Sequence, residues 1–518
     1  MSNLQARLAA LQPERLKGMR RGIEKESLRA SLDGSLALTP HPKALGSALT
    51  HPHITTDYSE SQLELITGVH ATPETCLEEL MQIHQFTYRA LSEEEMLWVS
   101  SMPCNLPADE NIPIGRYGSS NVGRAKSVYR MGLAHRYGRR MQTICGIHYN
   151  WSLPDVSSEQ YFALIRNFRR HAFLLLYLFG ASPAVCSGFV AGREHGLQPL
   201  GPGTLHMPHG TSLRMGRLGY QSAAQASLAV SYNGLDGYAA SLHEALTRPY
   251  PAYEAVGIVN PGGEYNQLAT SLLQIENEFY GTIRPKRVIR RGERPLHALR
   301  ERGVEYVEVR LLDLNPFVPV GITAQTLRFL DVFLLHCLLS DSPPDTPQEI
   351  AALGRNQHQT AAFGRQPGLL LERGQGEVAL VDWGGELMES FAPVAAVLDA
   401  THRTSDYTDA LRSAQTLLHS PELLPSARVL AVMERDFGNS FTAFGCAQSQ
   451  QARGKLLSLP FGAALQSRFA AESEQSVRDQ REIEAADRVP FETFRQQYVS
   501  AELLDPAANA SAPALAAV

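Results

Sequence analysis

Glu305-Tyr306-Val307-Glu308-Val309-Arg310-Leu311-Leu312 alternates two kinds of side chain. Val307, Val309 and Leu311 fall on one side, Glu308 and Arg310 on the other. Successive side chains of a β-strand point to opposite faces, so the stretch predicts a strand with an acid and a base side by side on one face. Such a pair reads either as a metal ligand beside a phosphate clamp or as a solvated outer face. One strand alone leaves both readings open.

Further segments load one face in the same way. Gly18 to Arg29 reads as a strand with Glu24 and Glu26 together, where like charges repel unless solvent or cations intervene. Met141 to Leu153 reads as a strand that sets Ile147, Tyr149 and Trp151 against His148, Asn150 and Ser152. A neutral imidazole is a good divalent-metal ligand, although a lone histidine is also common as a structural residue. Leu273 to Tyr280 places Gln274, Glu276 and Glu278 on one face, followed by the cationic run Ile283-Arg284-Pro285-Lys286-Arg287. Phosphate or carboxylate would suit that run, and surface pairing with Glu276 and Glu278 is the plain alternative. Asp57, Glu60 and Glu64 share a face if their segment is helical, yet Leu63-Glu64-Leu65-Ile66 could equally begin a strand.

Hard carboxylate oxygens with one histidine suit Mg²⁺ or Mn²⁺ better than Zn²⁺. Such sites beside Arg and Lys are typical of ATP chemistry. No Walker A sequence is present, and no G-x-G-x-x-G precedes a helix, so P-loop and Rossmann readings fail. A nucleotide site on an antiparallel sheet fits better.

Composition bounds the rest. The 47 basic and 53 acidic residues leave a formal charge of −6, which offers no footprint for nucleic acid or an anionic membrane. Six scattered cysteines without a C-x-x-C pair suggest neither a zinc site nor a disulfide framework. The start lacks the apolar run of a secretory signal. The most membrane-like segment, from Ala172, is broken at Gly180-Ala181-Ser182-Pro183, well short of the roughly 20 apolar residues needed to span. A cytoplasmic protein is expected.

Residues 3–17, 74–98, 159–180, 324–340 and 466–489 are read as helices, and 113–124 and 192–212 as loops. Strands mixed with long helices, without a βαβ rhythm, argue for α+β. The chemistry is placed in residues 15–320, a mainly helical supporting region in 345–500, and a frayed tail in 505–518.

These segments resemble the proteobacterial type of glutamate–cysteine ligase. The likeness rests on Arg21-Gly22-Ile23-Glu24-Lys25-Glu26-Ser27-Leu28-Arg29, Ile54-Thr55-Thr56-Asp57-Tyr58, Tyr117-Gly118-Ser119-Ser120-Asn121 and His148-Tyr149-Asn150. It continues through Thr211-Ser212-Leu213-Arg214, Ile283-Arg284-Pro285-Lys286-Arg287 and the opening strand, and runs in order from about residue 15 to 495. The resemblance implies one ligase unit over 1–518, with an antiparallel sheet curled into a funnel like that of the glutamine synthetase catalytic domain, flanked by helices. It implies ATP-dependent joining of the L-glutamate γ-carboxylate to the amine of L-cysteine through a γ-glutamyl phosphate, the first step of glutathione synthesis.

By match to the family, Glu24, Glu26, Asp57, Glu64, His148 and Glu308 are the expected Mg²⁺ (or Mn²⁺) ligands, and Arg310 is expected at the transferring phosphoryl group. Tyr58, Tyr129, Leu133, Gln142, Arg214 and Tyr220 match positions around cysteine. Asn150, Glu276, Lys286 and Arg287 are kept as candidate nucleotide or glutamate contacts. ATP, glutamate and cysteine are the implied partners, with no nucleic acid and no membrane, and a monomer is expected. Competing readings are a ligase of this family using another amine, and a dinuclear metallohydrolase, which would leave Arg310 and the 283–287 cations unexplained. A non-catalytic homologue is disfavoured because every acidic motif is present.

Overall fold

The computed structural model describes residues 3–103, 105–219, 223–226, 228–290 and 292–505. Tyr220 and the tail beyond 505 lie outside them.

The main sheet has seven strands. They are β1 (Arg20–Ser31), β2 (Ile54–Thr56), β3 (Gln62–Ile66), β4 (Glu95–Leu97), β5 (Ile147–Ser152), β6 (Ile283–Lys286) and β7 (Tyr306–Leu312). Their order is β2-β3-β1-β5-β7-β6, with β4 pairing the far end of β1, and every pairing is antiparallel. Among the helices are α1 (Pro73–Ala90), α2 (Asn121–Tyr137), α3 (Ser158–Phe179), α4 (Ala324–Leu339), α5 (Ala463–Ala486) and α6 (Phe491–Tyr498).

The α+β class with antiparallel pairing holds, but the expected funnel does not form. The sheet is open, with β2 at one edge and β6 at the other, and no pairing among the described residues joins them. Both edges are poor partners for closure. β2 is only 3 residues long, and Pro285 in β6 has no N–H to offer.

The apolar side of the alternation is the packed side. Ile23, Ile147, Tyr149, Val307 and Val309 are fully buried. Helices α3 and α4 cover this face with Phe168, Leu175, Phe333 and Leu334, all inaccessible to solvent. The covered face also holds paired polar groups. Arg21 Nη2 lies 2.8 Å from Asp331 Oδ2, and Tyr149 donates to Asp331 Oδ1 at 2.7 Å. Lys25 Nζ sits 2.8 Å from His84 Nε2. His84 Nδ1 is 2.7 Å from the Leu80 carbonyl. Donation there leaves Nε2 as an acceptor for the lysine. Burial pushes the Lys25 ammonium down to about 7.

Several local expectations shift. The helix read over 74–98 stops at Ala90, and Glu95–Leu97 joins β1 as a strand. Met141–Thr143 forms a single 3₁₀ turn, so β5 begins only at Ile147. The loop at 113–124 ends at Ser120, whose side chain caps the N-terminus of α2 by accepting from Gly123 N. The 192–212 loop contains a short hairpin, Gln198–Gly201 with Thr204–His206. Leu273–Tyr280 is not a strand, because Glu276–Glu278 forms a 3₁₀ turn. No helix among the described residues is long and apolar enough to cross a membrane.

Candidate active site

The register of the sheet builds the site. Glu26 pairs with Glu64 across β1 and β3, Glu24 with His148 across β1 and β5, and Asn150 with Glu308 across β5 and β7. The next step pairs Glu308 with Arg284 and Tyr306 with Lys286. One row of acids and a histidine thus crosses the sheet and meets a row of cations at its β6 edge. Glu64, Glu26, Glu24, His148, Glu308, Arg284 and Lys286 line a cavity of about 350 Å³.

His148 is the hub. Its Nδ1 lies 3.2 Å from Glu24 Oε2 and 3.6 Å from Glu308 Oε1, and its Nε2 lies 3.5 Å from Glu26 Oε1. Potential ligand atoms of Glu24, His148 and Glu308 fall within 4.8 Å of one another, as do those of Glu26, Glu64 and His148. His148 Nε2 and Glu308 Oε2 are buried and make no hydrogen bond. Buried polar atoms are normally satisfied, so these orphans are what a cation-binding site presents before its ion arrives. The donor set of carboxylates and one imidazole fits Mg²⁺ or Mn²⁺.

The electrostatics divide the acids. Burial, then the neighbouring Asp57 charge, pushes the Glu26 carboxyl up to about 8. Burial together with the charges of Asp57, Glu24 and Glu26 raises Glu64 well above the usual carboxylate range. For Glu308 burial acts upward, but Lys286, Arg310 and His148 outweigh it and hold the carboxyl well below that range. Arg310 Nη1 is 3.0 Å and Lys286 Nζ 3.6 Å from Glu308 Oε1. Burial, reinforced by Arg310, keeps His148 below its ordinary value. A neutral imidazole is the metal-binding form.

The cavity also gathers Asp57, Tyr58, Tyr129, Leu133, Gln142 and Glu276. The Tyr58 hydroxyl is buried and makes no hydrogen bond. Arg214 does not line this cavity. It lines a neighbouring one of about 200 Å³, which shares Tyr280 and Arg310 with the first. Arg214 Nη2 donates to the Arg310 carbonyl at 2.8 Å, and its guanidinium packs where any side chain at Gly146 would stand. Its segment is held by buried Asp313, which accepts from Ser182 and Ser212 hydroxyls at 2.6 and 2.9 Å.

Other expected contacts lie elsewhere or are already engaged. Asn150 donates to Glu24 Oε1 at 2.9 Å and orients that acid from behind. Arg287 donates to the Arg302 and Gly303 carbonyls and does not line the cavity. Glu276 is engaged by Arg294 at 2.6 Å and Glu278 by Arg136 at 2.8 Å. Glu60 accepts from the His41 and Arg116 backbone and stays out of the acid row.

The sequence pattern of the family described as glutamate-cysteine ligase matches residues 5–360. A glutamate–cysteine ligase of Saccharophagus degradans is 47% identical over 503 residues, covering 93% of this chain and 94% of that relative. One from Azotobacter vinelandii is 49% identical over 498 residues, covering 92% and 93%. The chain belongs to the glutamate–cysteine ligase family. Its fold matches the crystal structure of glutamate–cysteine ligase from Francisella tularensis in complex with AMP, with TM-score 0.88, 36% identity, and coverage of 93% of this chain and 97% of that one. A bifunctional glutathione synthetase from Pasteurella multocida matches with TM-score 0.70 and 25% identity, over 91% of this chain and 57% of its own length.

The cavity of this family member includes residues that the sequence patterns did not select. Tyr280 accepts from Gln142 Nε2 at 2.8 Å and forms part of the wall between the two cavities. Helix α2 contributes Lys126 and Arg130, and α6 contributes Phe494 and Tyr498. Helical spacing could have marked Lys126, Tyr129, Arg130 and Leu133 as one face of α2, had the helix been placed there.

Proposed function

We infer that this chain joins the γ-carboxylate of L-glutamate to the amine of L-cysteine with conversion of ATP to ADP and phosphate, and that the acid-lined cavity is where it does so. The observation that carries the reading is the row Glu64–Glu26–Glu24–His148–Glu308 ending on Arg310, within a chain of this ligase family.

Carboxylate is a poor electrophile, and phosphorylation of its oxygen turns that oxygen into a leaving group. The proposed route therefore passes through γ-glutamyl phosphate, whose carbonyl the cysteine amine attacks as phosphate departs. No protein nucleophile is needed, so positioning and charge placement dominate. Glu24, Glu26, Asp57, Glu64, His148 and Glu308 are proposed to hold Mg²⁺ (or Mn²⁺), which when bound neutralises phosphate charge. Arg310, held by Glu308 on one side, is proposed to face the phosphoryl group, whose oxygens a planar guanidinium suits. Tyr58, Tyr129, Leu133 and Gln142 are proposed to enclose cysteine, with Tyr280 beside Gln142. Arg214 would meet a substrate carboxylate from the second cavity. Most of this machinery comes from residues 15–320 of a single ligase unit, with Phe494 and Tyr498 added from the helical region.

The direct test is ADP release with glutamate present and candidate amines added in turn. Release that depends on cysteine supports the reading; equal release with glycine or with water alone sinks it.

The raised carboxyls give a second expectation. A group whose folded pKa is raised contributes stability that is present below its unfolded pKa and is lost as pH rises through the folded value. For Glu26 that loss spans about 4.5 to about 8 in the ion-free protein. A divalent cation bound to the ionised acids opposes it. Mg²⁺ or Mn²⁺ is therefore expected to raise Tm more at about pH 8.5 than at about pH 6, measured by thermal unfolding. An equal rise at both pH values would count against these acids as ligands.

A further inference from the structure

Five cations line the acid cavity: Lys126, Arg130, Arg284, Lys286 and Arg310. Four have partners within the protein. Arg310 and Lys286 meet Glu308 at 3.0 and 3.6 Å. Arg284 donates to the carbonyls of Asn277 and Phe279. Arg130 donates to those of Asp57, Lys126 and Thr56. The fifth, Lys126, makes no side-chain hydrogen bond and no ion pair among the described residues. Its Nζ lies 5.4 Å from the Tyr117 ring centroid, an aromatic face that stabilises a cation only modestly.

Lys126 is half-buried on the cavity wall, and a partly desolvated cation without an anion is a ready partner for an anionic ligand. A purely structural wall did not need it, since Val122 and Ala125 line the same cavity from α2 as small apolar groups. Lys126 and Glu64 line the same cavity, and the Glu64 charge favours the protonated ammonium. An anion that reaches Lys126 therefore also lies towards the acid row. In the reading above, that row holds a divalent ion. A polyphosphate is suited to bridging an ammonium and Mg²⁺, because adjacent phosphates offer several anionic oxygens at once.

We propose that Lys126 contacts the β- or γ-phosphate of the bound nucleotide. This rests on the cavity's assignment to Mg²⁺–nucleotide, and the test separates the two claims.

Binding of a non-hydrolysable ATP analogue with Mg²⁺, and of AMP, is measured by calorimetry for the unsubstituted protein and for Lys126→Met, Lys126→Gln and Lys126→Arg. The expected result is that Met and Gln weaken the analogue by about 10-fold or more, the scale of one charge-assisted contact, and leave AMP unchanged. Lys126→Arg should recover most of the loss, with the KM for glutamate unaltered throughout. The pair of neutral variants guards against one of them failing to fold, which thermal unfolding would reveal. Unchanged analogue binding would overturn the proposal, and so would an equal loss for AMP. A rise confined to the KM for cysteine would also overturn it, assigning Lys126 to the amino-acid carboxylate instead. If the analogue fails to bind the unsubstituted protein, the functional reading itself falls.

Discussion

Replacing Arg310 by alanine is expected to lower kcat by at least about 10²-fold while leaving the protein folded, the scale on which a preorganised charge partner acts. The guanidinium stands where the two cavities meet and is the part of β7 that both share. Its Nη1 bond to Glu308 at 3.0 Å fixes its direction. The backbone is anchored independently. Arg310 N donates to Thr282 O at 2.8 Å, and its carbonyl accepts from Arg214. Val309 and Leu311 remain packed on the opposite face. Truncation therefore removes a charge from the cavity without loosening the strand. Lysine at 310 should recover only part of the loss, because a single ammonium cannot reproduce a planar fork. Glu308→Ala is expected to fall as far, since it removes a proposed metal ligand and the group that aims Arg310. Steady-state kinetics with thermal unfolding as a control provide the check. Near-normal turnover in both variants would remove the pair from the reaction.

How much of this was legible follows from periodicity. A strand's period of two is short enough that Glu24, Glu26, His148, Glu308 and Arg310 declare a common face within their own segments. Which strands adjoin is not written locally, and the order β3-β1-β5-β7 is set by pairing between segments far apart in the chain. The same period misled at Leu273–Tyr280. There Glu276 and Glu278 alternate because two different arginines, Arg294 and Arg136, draw them to different partners in a 3₁₀ turn. Arg136 lies far away in the chain, so no local window could have shown it. Closure was misjudged for a related reason. Whether a sheet curls shut depends on its two edges, and neither the brevity of β2 nor the position of Pro285 marks an edge until the strand order is known. Lys126 was overlooked because Tyr117 to Asn121 reads as loop, and the start of α2 hid behind it.

The largest expected loss of stability, by contrast, lies on the covered face of the sheet. Asp331→Ala should cost about 3–5 kcal/mol, the range for breaking a buried ion pair from one side. Asp331 and Arg21 side chains are both fully inaccessible, and the Tyr149 hydroxyl completes the group. Removing the carboxylate strands a guanidinium in a low-dielectric core and leaves a phenol without its acceptor. Asparagine should be nearly as damaging, because it can accept from Tyr149 but cannot neutralise Arg21. Removing both charges together, as in Arg21→Met with Asp331→Leu, should recover much of the loss, since no ion is then left unpaired. Arg21 and Tyr149 sit on β1 and β5, three and one residues from Glu24 and His148, but on the opposite face. At temperatures where Asp331→Ala remains folded, its kcat should therefore stay close to normal while its denaturation midpoint falls. Denaturant unfolding measured alongside kcat tests this separation. A variant as stable as the parent would show that the buried trio is not holding the sheet, and a kcat collapse in folded protein would show that the two faces are coupled.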